Sequence, residues 1–258
     1  MRKLLLPMAL LLSFSAFAES PQFGNLTQND VDDISREFSA NFSHTGVSAP
    51  ETDGLWGIEV GLFGGKSSSP DLSDVIKASG GDGSDFKNLY HGGIMGRAHF
   101  PLDIFAEVTL LPEREISDVT VKNSTFEVGW NAGGFFNLPL DLAIGLNFAN
   151  SDISFKQTQP VVSNIELKSK TRILWVGVSK TFLFFTPYAK LGKVSSDSDV
   201  TATAAIFDDT SIQKRDSQND GGYLALGANV QFLFIKLGVE FSQIMDVKRS
   251  SAKLSFDF

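Results

Sequence analysis

The last eight residues of the chain, 251–258, alternate between polar and apolar side chains. One face of an extended strand there would carry Ala252, Leu254, Phe256 and Phe258. The opposite face would carry Lys253, Ser255 and Asp257. A period of two is what a β-strand needs when one side meets an apolar medium and the other meets water. The end of the chain is therefore predicted to be a strand with one apolar face.

The same alternation recurs from Gly54 onwards. In residues 235–241, for example, Ile235, Leu237, Val239 and Phe241 oppose Lys236, Gly238 and Glu240. Counting such segments predicts an all-β, antiparallel domain over residues 54–258 with about ten strands, between bounds of eight and twelve. Two architectures fit this pattern. In a soluble β-sandwich the apolar face is the core, whereas in a transmembrane barrel it faces lipid.

The connections between the strands favour the barrel. Short turns follow Phe100, Phe136, Phe182 and Phe232. The intervening connections are mostly longer and polar, at 66–88, 114–120, 150–165 and 195–220, and only the last, near 246–250, is short. Membrane barrels have this alternation of short periplasmic turns and longer extracellular loops. The polar face is also rich in Gly, as a crowded barrel interior would be.

A terminal Phe preceded by alternating apolar residues resembles the C-terminal assembly signal of bacterial outer-membrane β-barrels, the porin-like class. The resemblance implies contact with outer-membrane lipid and lipopolysaccharide, and recognition of the last strand by the barrel assembly machinery. It implies that both ends of the barrel domain lie in the periplasm. The expected periplasmic aromatic girdle consists of Phe100, Phe136, Phe182, Phe232, Phe256 and Phe258.

The N-terminal residues have a different pattern. Residues 1–18 combine a basic start, an apolar run and an Ala-x-Ala motif, which predicts a secretory signal peptide cleaved after Ala18. Within residues 19–53, a short amphipathic helix is predicted over 27–42, with Thr27 and Asp30 as a capping-box variant. This helix is expected either to plug the barrel or to pack beneath its periplasmic mouth. A loosely ordered exported segment is the alternative.

Composition excludes several classes of function. The chain has no Cys, so no disulfide or thiolate metal site can form. After removal of the signal peptide, 20 basic residues face 30 acidic ones, which argues against nucleic-acid binding. The acidic connections match no calcium-binding loop and are interpreted as solvated surface. We expect no cofactor and no metal.

Charged side chains of both signs are predicted to face the lumen. They are Glu59, His91, Arg97, His99, Glu107, Glu127, Asp141, Lys190, Lys236 and Glu240. These groups could line a small polar pore, or they could pair across the lumen and close it.

Three functions follow from these alternatives. The first is a small channel or passive transporter with a small-solute ligand. The second is a closed structural or surface-interaction barrel that acts through loops 66–88 and 195–220. The third is a hydrolase, which would require His91 close to a Ser and an acid. Ser84 and Asp85 precede His91 at no recognised catalytic spacing. We therefore expect no catalytic residues and no enzymatic activity.

Overall fold

A computed structural model describes residues 26–44, 46–51, 56–79, 81–116, 119–133, 136, 138–157, 162–206 and 209–258. The predicted signal peptide, 1–18, lies outside these residues. Ten antiparallel strands form a closed barrel in which each strand pairs with its sequence neighbours and the first pairs with the last. The strands are β1 (Gly57–Ser68), β2 (Asn88–Phe100), β3 (Ile104–Ile116), β4 (Val119–Asn131), β5 (Asp141–Gln157), β6 (Val162–Ser179), β7 (Phe185–Ile206), β8 (Asp209–Phe232), β9 (Ile235–Ile244) and β10 (Val247–Asp257). The predicted strand number is confirmed.

The barrel closes at the C-terminus. Backbone hydrogen bonds join Ile58 and Phe258 in both directions, at 3.0 and 2.9 Å. The predicted alternation places Val60, Leu226 and Val239 on the outside, each with half or more of its surface exposed. A surface of this kind is stable in lipid and costly in water, because exposing it to water forfeits the hydrophobic free energy of burial.

Strands β5 to β8 are longer than a membrane crossing requires. Strands β7 and β8 contain 22 and 24 residues, whereas a tilted membrane strand needs about 9–11. Along the outer face of β8, exposed Lys214, Asp216, Gln218 and Asp220 precede the apolar stretch that begins at Leu224. The wall of the barrel therefore continues beyond the apolar belt as a polar, strand-built extension.

This extension corrects the prediction of loops at 114–120, 150–165 and 195–220. Most of these residues belong to strands. In β7 the misreading arose because both faces of residues 195–199 are polar: Ser196 and Ser198 face inwards, and Asp197 and Asp199 face outwards. Without an apolar face the period-two signal disappears. The predicted loop at 66–88 contains a second helix, α2 (Pro70–Ala78).

The N-terminal helix, α1 (Gln28–Phe42), lies inside the barrel. Thr27 and Asp30 form the predicted capping box, which is confirmed. The apolar face of α1 packs into a cluster with α2 and the inner side of the wall extension, formed by Val31, Ile34, Phe38, Phe42, Leu72, Ile76, Phe155, Leu167 and Val200. Neither described helix is long and apolar enough to span a membrane.

Candidate functional site: the barrel lumen

Residues 28–44 and 46–51 run through the lumen from one end to the other. At the start of α1, Gln28 Nε2 donates to the carbonyl of Asp216, in the wall extension, at 3.0 Å. At the other end, the Glu51 carboxylate lies 3.0 Å from Lys236 Nζ and accepts a hydrogen bond from Thr181 at 3.2 Å. We call residues 28–51 the plug. Its first residue and the C-terminus of the chain therefore lie at opposite ends of the barrel.

Polar contacts hold the part of the plug that follows α1. Asn147 Nδ2 donates to the carbonyl of His44, and Arg249 Nη1 donates to the carbonyl of Ser43. Further along, Lys190 Nζ donates to the carbonyl of Gly46 at 3.0 Å, and the backbone N–H of Ala49 donates to Asn229 Oδ1 at 3.3 Å. The barrel wall thus satisfies the backbone of an irregular segment, as burial requires.

The structure places nine of the ten predicted lumen charges in the buried interior. They are Glu59, His91, Arg97, His99, Glu107, Glu127, Lys190, Lys236 and Glu240. The tenth, Asp141, is half-buried at the start of β5 and accepts a hydrogen bond from Asn131 Nδ2 at 2.8 Å.

One charge cluster lies near the end with the short turns. Lys253 Nζ contacts Glu59 Oε1 at 2.5 Å, and Ser255 Oγ donates to the same oxygen at 2.6 Å. Lys236 Nζ lies 4.0 Å from Glu59 Oε2 and 3.9 Å from Asp257. Opposite charges therefore offset one another where water is largely excluded.

A second cluster lies beside the first, on β2 and β3, where Arg97 is directly opposite Glu59 in the strand register. Arg97 stacks over the ring of Phe105 at 4.0 Å, and its Nη1 is 3.6 Å from Glu107 Oε2. Atoms Nε and Nη2 of Arg97, and both ring nitrogens of His99, have no hydrogen-bond partner among the described residues. Buried polar atoms of this kind are ordinarily satisfied by water.

A third group contains Lys190, which lies 4.8 Å from the ring of Trp175 and 3.9 Å from Glu240 Oε2. Tyr188 Oη donates to the same Glu240 oxygen at 3.0 Å. Trp175 Nε1 donates to Glu127 Oε2 at 3.3 Å. The lumen therefore combines cations, carboxylates and aromatic donors in contact with one another.

The helical part of the plug is linked to α2 by a carboxylate. Glu37 accepts hydrogen bonds from the backbone N–H groups of Asp71 and Leu72, both at 2.9 Å, in the first turn of α2. Arg36 pairs with Asp71 at 2.8 Å. Burial raises the pKa of Glu37 to about 7, although the two amide hydrogen bonds act in the opposite direction.

His91 is joined to two residues that the sequence did not single out. His91 Nε2 lies 2.9 Å from Ser251 Oγ, and its Nδ1 lies 3.0 Å from Asn41 Oδ1. The partners of His91 in these bonds are not Ser84 or Asp85. Lys253 and Arg249 were also missed as lumen charges, although both share the inward face of β10 with Ser251.

The six aromatic residues predicted as a girdle lie at the short-turn end and are exposed. They are Phe100, Phe136, Phe182, Phe232, Phe256 and Phe258. Phe184 and Phe234 extend the series within the turns themselves. Exposed rings in this arrangement are typical of a membrane interface.

The chain is similar to solved outer-membrane proteins at low sequence identity. The outer membrane protease OmpT of Escherichia coli is 9% identical over 81% of this chain and 100% of that chain, with a TM-score of 0.46. The attachment invasion locus protein Ail of Yersinia pestis is 12% identical over 79% and 97%, with a TM-score of 0.30. The translocator domain of autotransporter NalP from Neisseria meningitidis is 9% identical over 80% and 90%, with a TM-score of 0.39. No protein-family model and no curated protein matches the sequence.

These similarities are too remote to assign a family. The class of protein is therefore inferred from the architecture of the barrel. A closed antiparallel barrel with an even number of strands, an apolar outer belt, exposed aromatic rings at its turns and a polar lumen has the architecture of outer-membrane proteins. The protein is an outer-membrane β-barrel whose lumen contains the plug.

Proposed function

We propose that this barrel is a channel for small polar solutes that is closed at rest by the plug and opens when the plug is displaced. The observation that supports this proposal is the polar nature of the contact between residues 43–51 and the wall. Such hydrogen bonds contribute little net free energy, because water can replace them when the groups separate. Movement of residues 43–51 exposes no large apolar surface, whereas movement of α1 has to overcome its apolar contacts in the wall extension.

Once the plug is displaced, the side chains that line the lumen suit the passage of a polar solute. Arg97, Glu127 and Lys190 supply charges of both signs, and several buried polar atoms on Arg97 and His99 have no protein partner among the described residues. A lumen of about ten strands is narrow, which limits passage to small molecules. The long-strand end is the proposed outer face, and the short turns are proposed to lie in the periplasm, as is usual for this class.

A reversible lock on the plug tests the proposal. Ser39 Oγ lies 2.7 Å from Ser169 Oγ on β6, and the chain has no natural Cys. The double variant S39C/S169C, refolded in a planar bilayer, should conduct in brief openings when reduced. Conductance should cease on oxidation and return with reductant, because the disulfide fixes α1 to the wall.

The matched control is T109C/T125C, which joins β3 to β4 inside the lumen through two residues that hydrogen bond to each other. Its conductance should be the same in both redox states. Ser39→Asp, which buries an uncompensated charge beside Ser169 and Ser196, should increase the open time. Silence of both reduced S39C/S169C and Ser39→Asp would overturn the channel proposal.

The second candidate function is a closed barrel that acts through its outer wall. The specific observation in its favour is the extension of β5 to β8, whose outer face carries charged residues well beyond the apolar belt. This candidate predicts no conductance in any of the variants above. It also predicts loss of partner binding when equal numbers of residues are deleted from the end of β7 and the start of β8 within 195–220, so that the two strands still form a hairpin but a shorter one.

A further inference from the structure

Three polar side chains from different parts of the chain meet in the lumen. Ser251 on β10, His91 on β2 and Asn41 in the plug are all buried, and His91 hydrogen bonds to the other two at 2.9 and 3.0 Å. Residues 41, 91 and 251 are far apart in sequence, so only closure of the barrel and docking of the plug bring them together.

The hydrogen bonds fix the tautomer of His91. Asn41 Nδ2 donates to the carbonyl of Tyr90 at 3.2 Å, so Asn41 Oδ1 faces His91 and acts as an acceptor. Ser67 Oγ donates to the same oxygen at 2.8 Å. His91 Nδ1 must therefore carry its proton and donate it to Asn41, which leaves Nε2 as the free base facing the hydroxyl of Ser251.

The strand register makes room for this arrangement. His91 pairs with Gly65 on β1, and Gly65 pairs in turn with Ser251 on β10, so the imidazole crosses the intervening strand. A Cβ atom on residue 65 would lie 2.6 Å from His91 Nε2 and 2.2 Å from the carbonyl oxygen of Ser250. Only glycine allows the ring to reach Ser251.

A buried cation completes the group. Arg249 Nε donates to Ser251 Oγ at 3.3 Å, and its Nη1 is held by the carbonyls of Ala40 and Ser43. Arg249 Nη2 is buried and has no hydrogen-bond partner in the part of the chain that the structure describes. An unused N–H donor is therefore fixed beside the Ser251 hydroxyl.

We propose that Ser251, His91, Asn41 and Arg249 form an acyl-transfer site that hydrolyses carboxylic esters. Ser251 Oγ attacks the ester carbonyl while His91 Nε2 takes the hydroxyl proton, and Asn41 holds the imidazole in place. Arg249 stabilises the tetrahedral oxyanion. The C–O bond to the alcohol breaks, and His91 returns the proton to the leaving alkoxide. Water, deprotonated by His91, then releases the carboxylic acid and restores Ser251.

The surroundings indicate an apolar acyl chain. Leu89 precedes His91 by two residues on the same face of β2, and Phe42 follows Asn41 in the plug. Both belong to the apolar cluster that fills the wall extension around α1. The chemistry requires that a substrate reach Ser251 and not that a solute cross the barrel, so this proposal and the channel can fail separately.

The first test is covalent labelling of the full-length mature protein, refolded in detergent, with a fluorophosphonate. We expect labelling at Ser251, identified by peptide mass, and hydrolysis of p-nitrophenyl esters that is faster for a dodecanoate than for an acetate. His91→Gln should lower both rates at least about 100-fold, as loss of a general base does. Thr109→Val is the matched control, because Thr109 is buried in the lumen and hydrogen bonds to Thr125 on the neighbouring strand, and it should leave both rates unchanged.

A second measurement separates catalysis from a purely structural network. Ser251→Cys introduces the only thiol in the chain, and His91 should accelerate its alkylation by iodoacetamide at pH 7 relative to the S251C/H91Q variant. A structural hydrogen bond would give equal rates. The proposal is overturned by equal rates, or by a wild type that lacks labelling at Ser251.

Discussion

At the scale of single residues, the lumen is packed by aromatic rings that lie over glycines of the neighbouring strand. Phe105 covers Gly129, Trp175 covers Gly145 and Tyr188 covers Gly227, and each pair is directly opposite in the strand register. A Cβ atom on any of these glycines would lie between 2.2 and 2.4 Å from the ring. This packing explains three of the glycines in the barrel wall.

Substitution at one of these glycines tests the packing. Gly145→Ala would place a Cβ 2.4 Å from Trp175, and overpacking of this kind costs about 1–3 kcal/mol. Gly96→Ala is the control, because an added Cβ there meets nothing within 4 Å. The unfolding midpoint in denaturant should fall for Gly145→Ala only. Equal midpoints for the two variants would contradict the assigned ring position.

Glu37 should make docking of the plug on α2 depend on pH. Because burial raises the folded-state pKa of Glu37 from 4.5 to about 7, its stabilising contribution is fully present below about pH 4.5 and is lost as the pH rises through 7. The contribution of Glu37 to the free energy of unfolding should therefore decrease between pH 5 and pH 8. The free energy of unfolding of Glu37→Gln relative to wild type should rise over the same range, whereas that of Asp74→Asn, at an exposed position on α2, should stay constant. A constant difference between Glu37→Gln and wild type would refute the assignment.

At the scale of elements, the sequence predicts strands well where one face is apolar and poorly where both are polar. Residues 224–232 alternate clearly, whereas residues 195–199 show no apolar face, so their pattern predicts a loop. The α1 helix was predictable from Thr27, Asp30 and its apolar spacing, because these signals are local. Its docking inside the lumen was not, because that depends on contacts with distant strands.

A pair of substitutions on β8 tests the assignment of the lipid face. Leu226 is 57% exposed within the apolar stretch, and Leu226→Arg should destabilise the barrel by about 2–4 kcal/mol if it lies near the bilayer midplane. Gln218→Arg lies on the same face of the same strand but in the polar extension, so it should be nearly neutral. Both would be compared by denaturant unfolding from lipid vesicles. A neutral Leu226→Arg would place that face outside the bilayer.

At the scale of the whole molecule, the class of protein was readable from the sequence, but the contents of the lumen were not. Nine predicted charges are buried inside because alternation assigns each residue to a face of its strand. Alternation does not give the register between strands, so it could not bring His91 to Ser251. Nor could alternation show that the plug begins at the long-strand end of the lumen.

The most direct test of the plug is cysteine crosslinking in the membrane-embedded protein. The S39C/S169C pair should form a disulfide on mild oxidation, because the two hydroxyls lie 2.7 Å apart. S39C/S255C is the control, since Ser255 is equally buried but lies beside Glu59 and Lys236, at the opposite end of the lumen. The structure predicts a crosslink in the first variant and none in the second. A first variant that stays reduced, or equal crosslinking in both, would contradict a plug fixed inside the barrel.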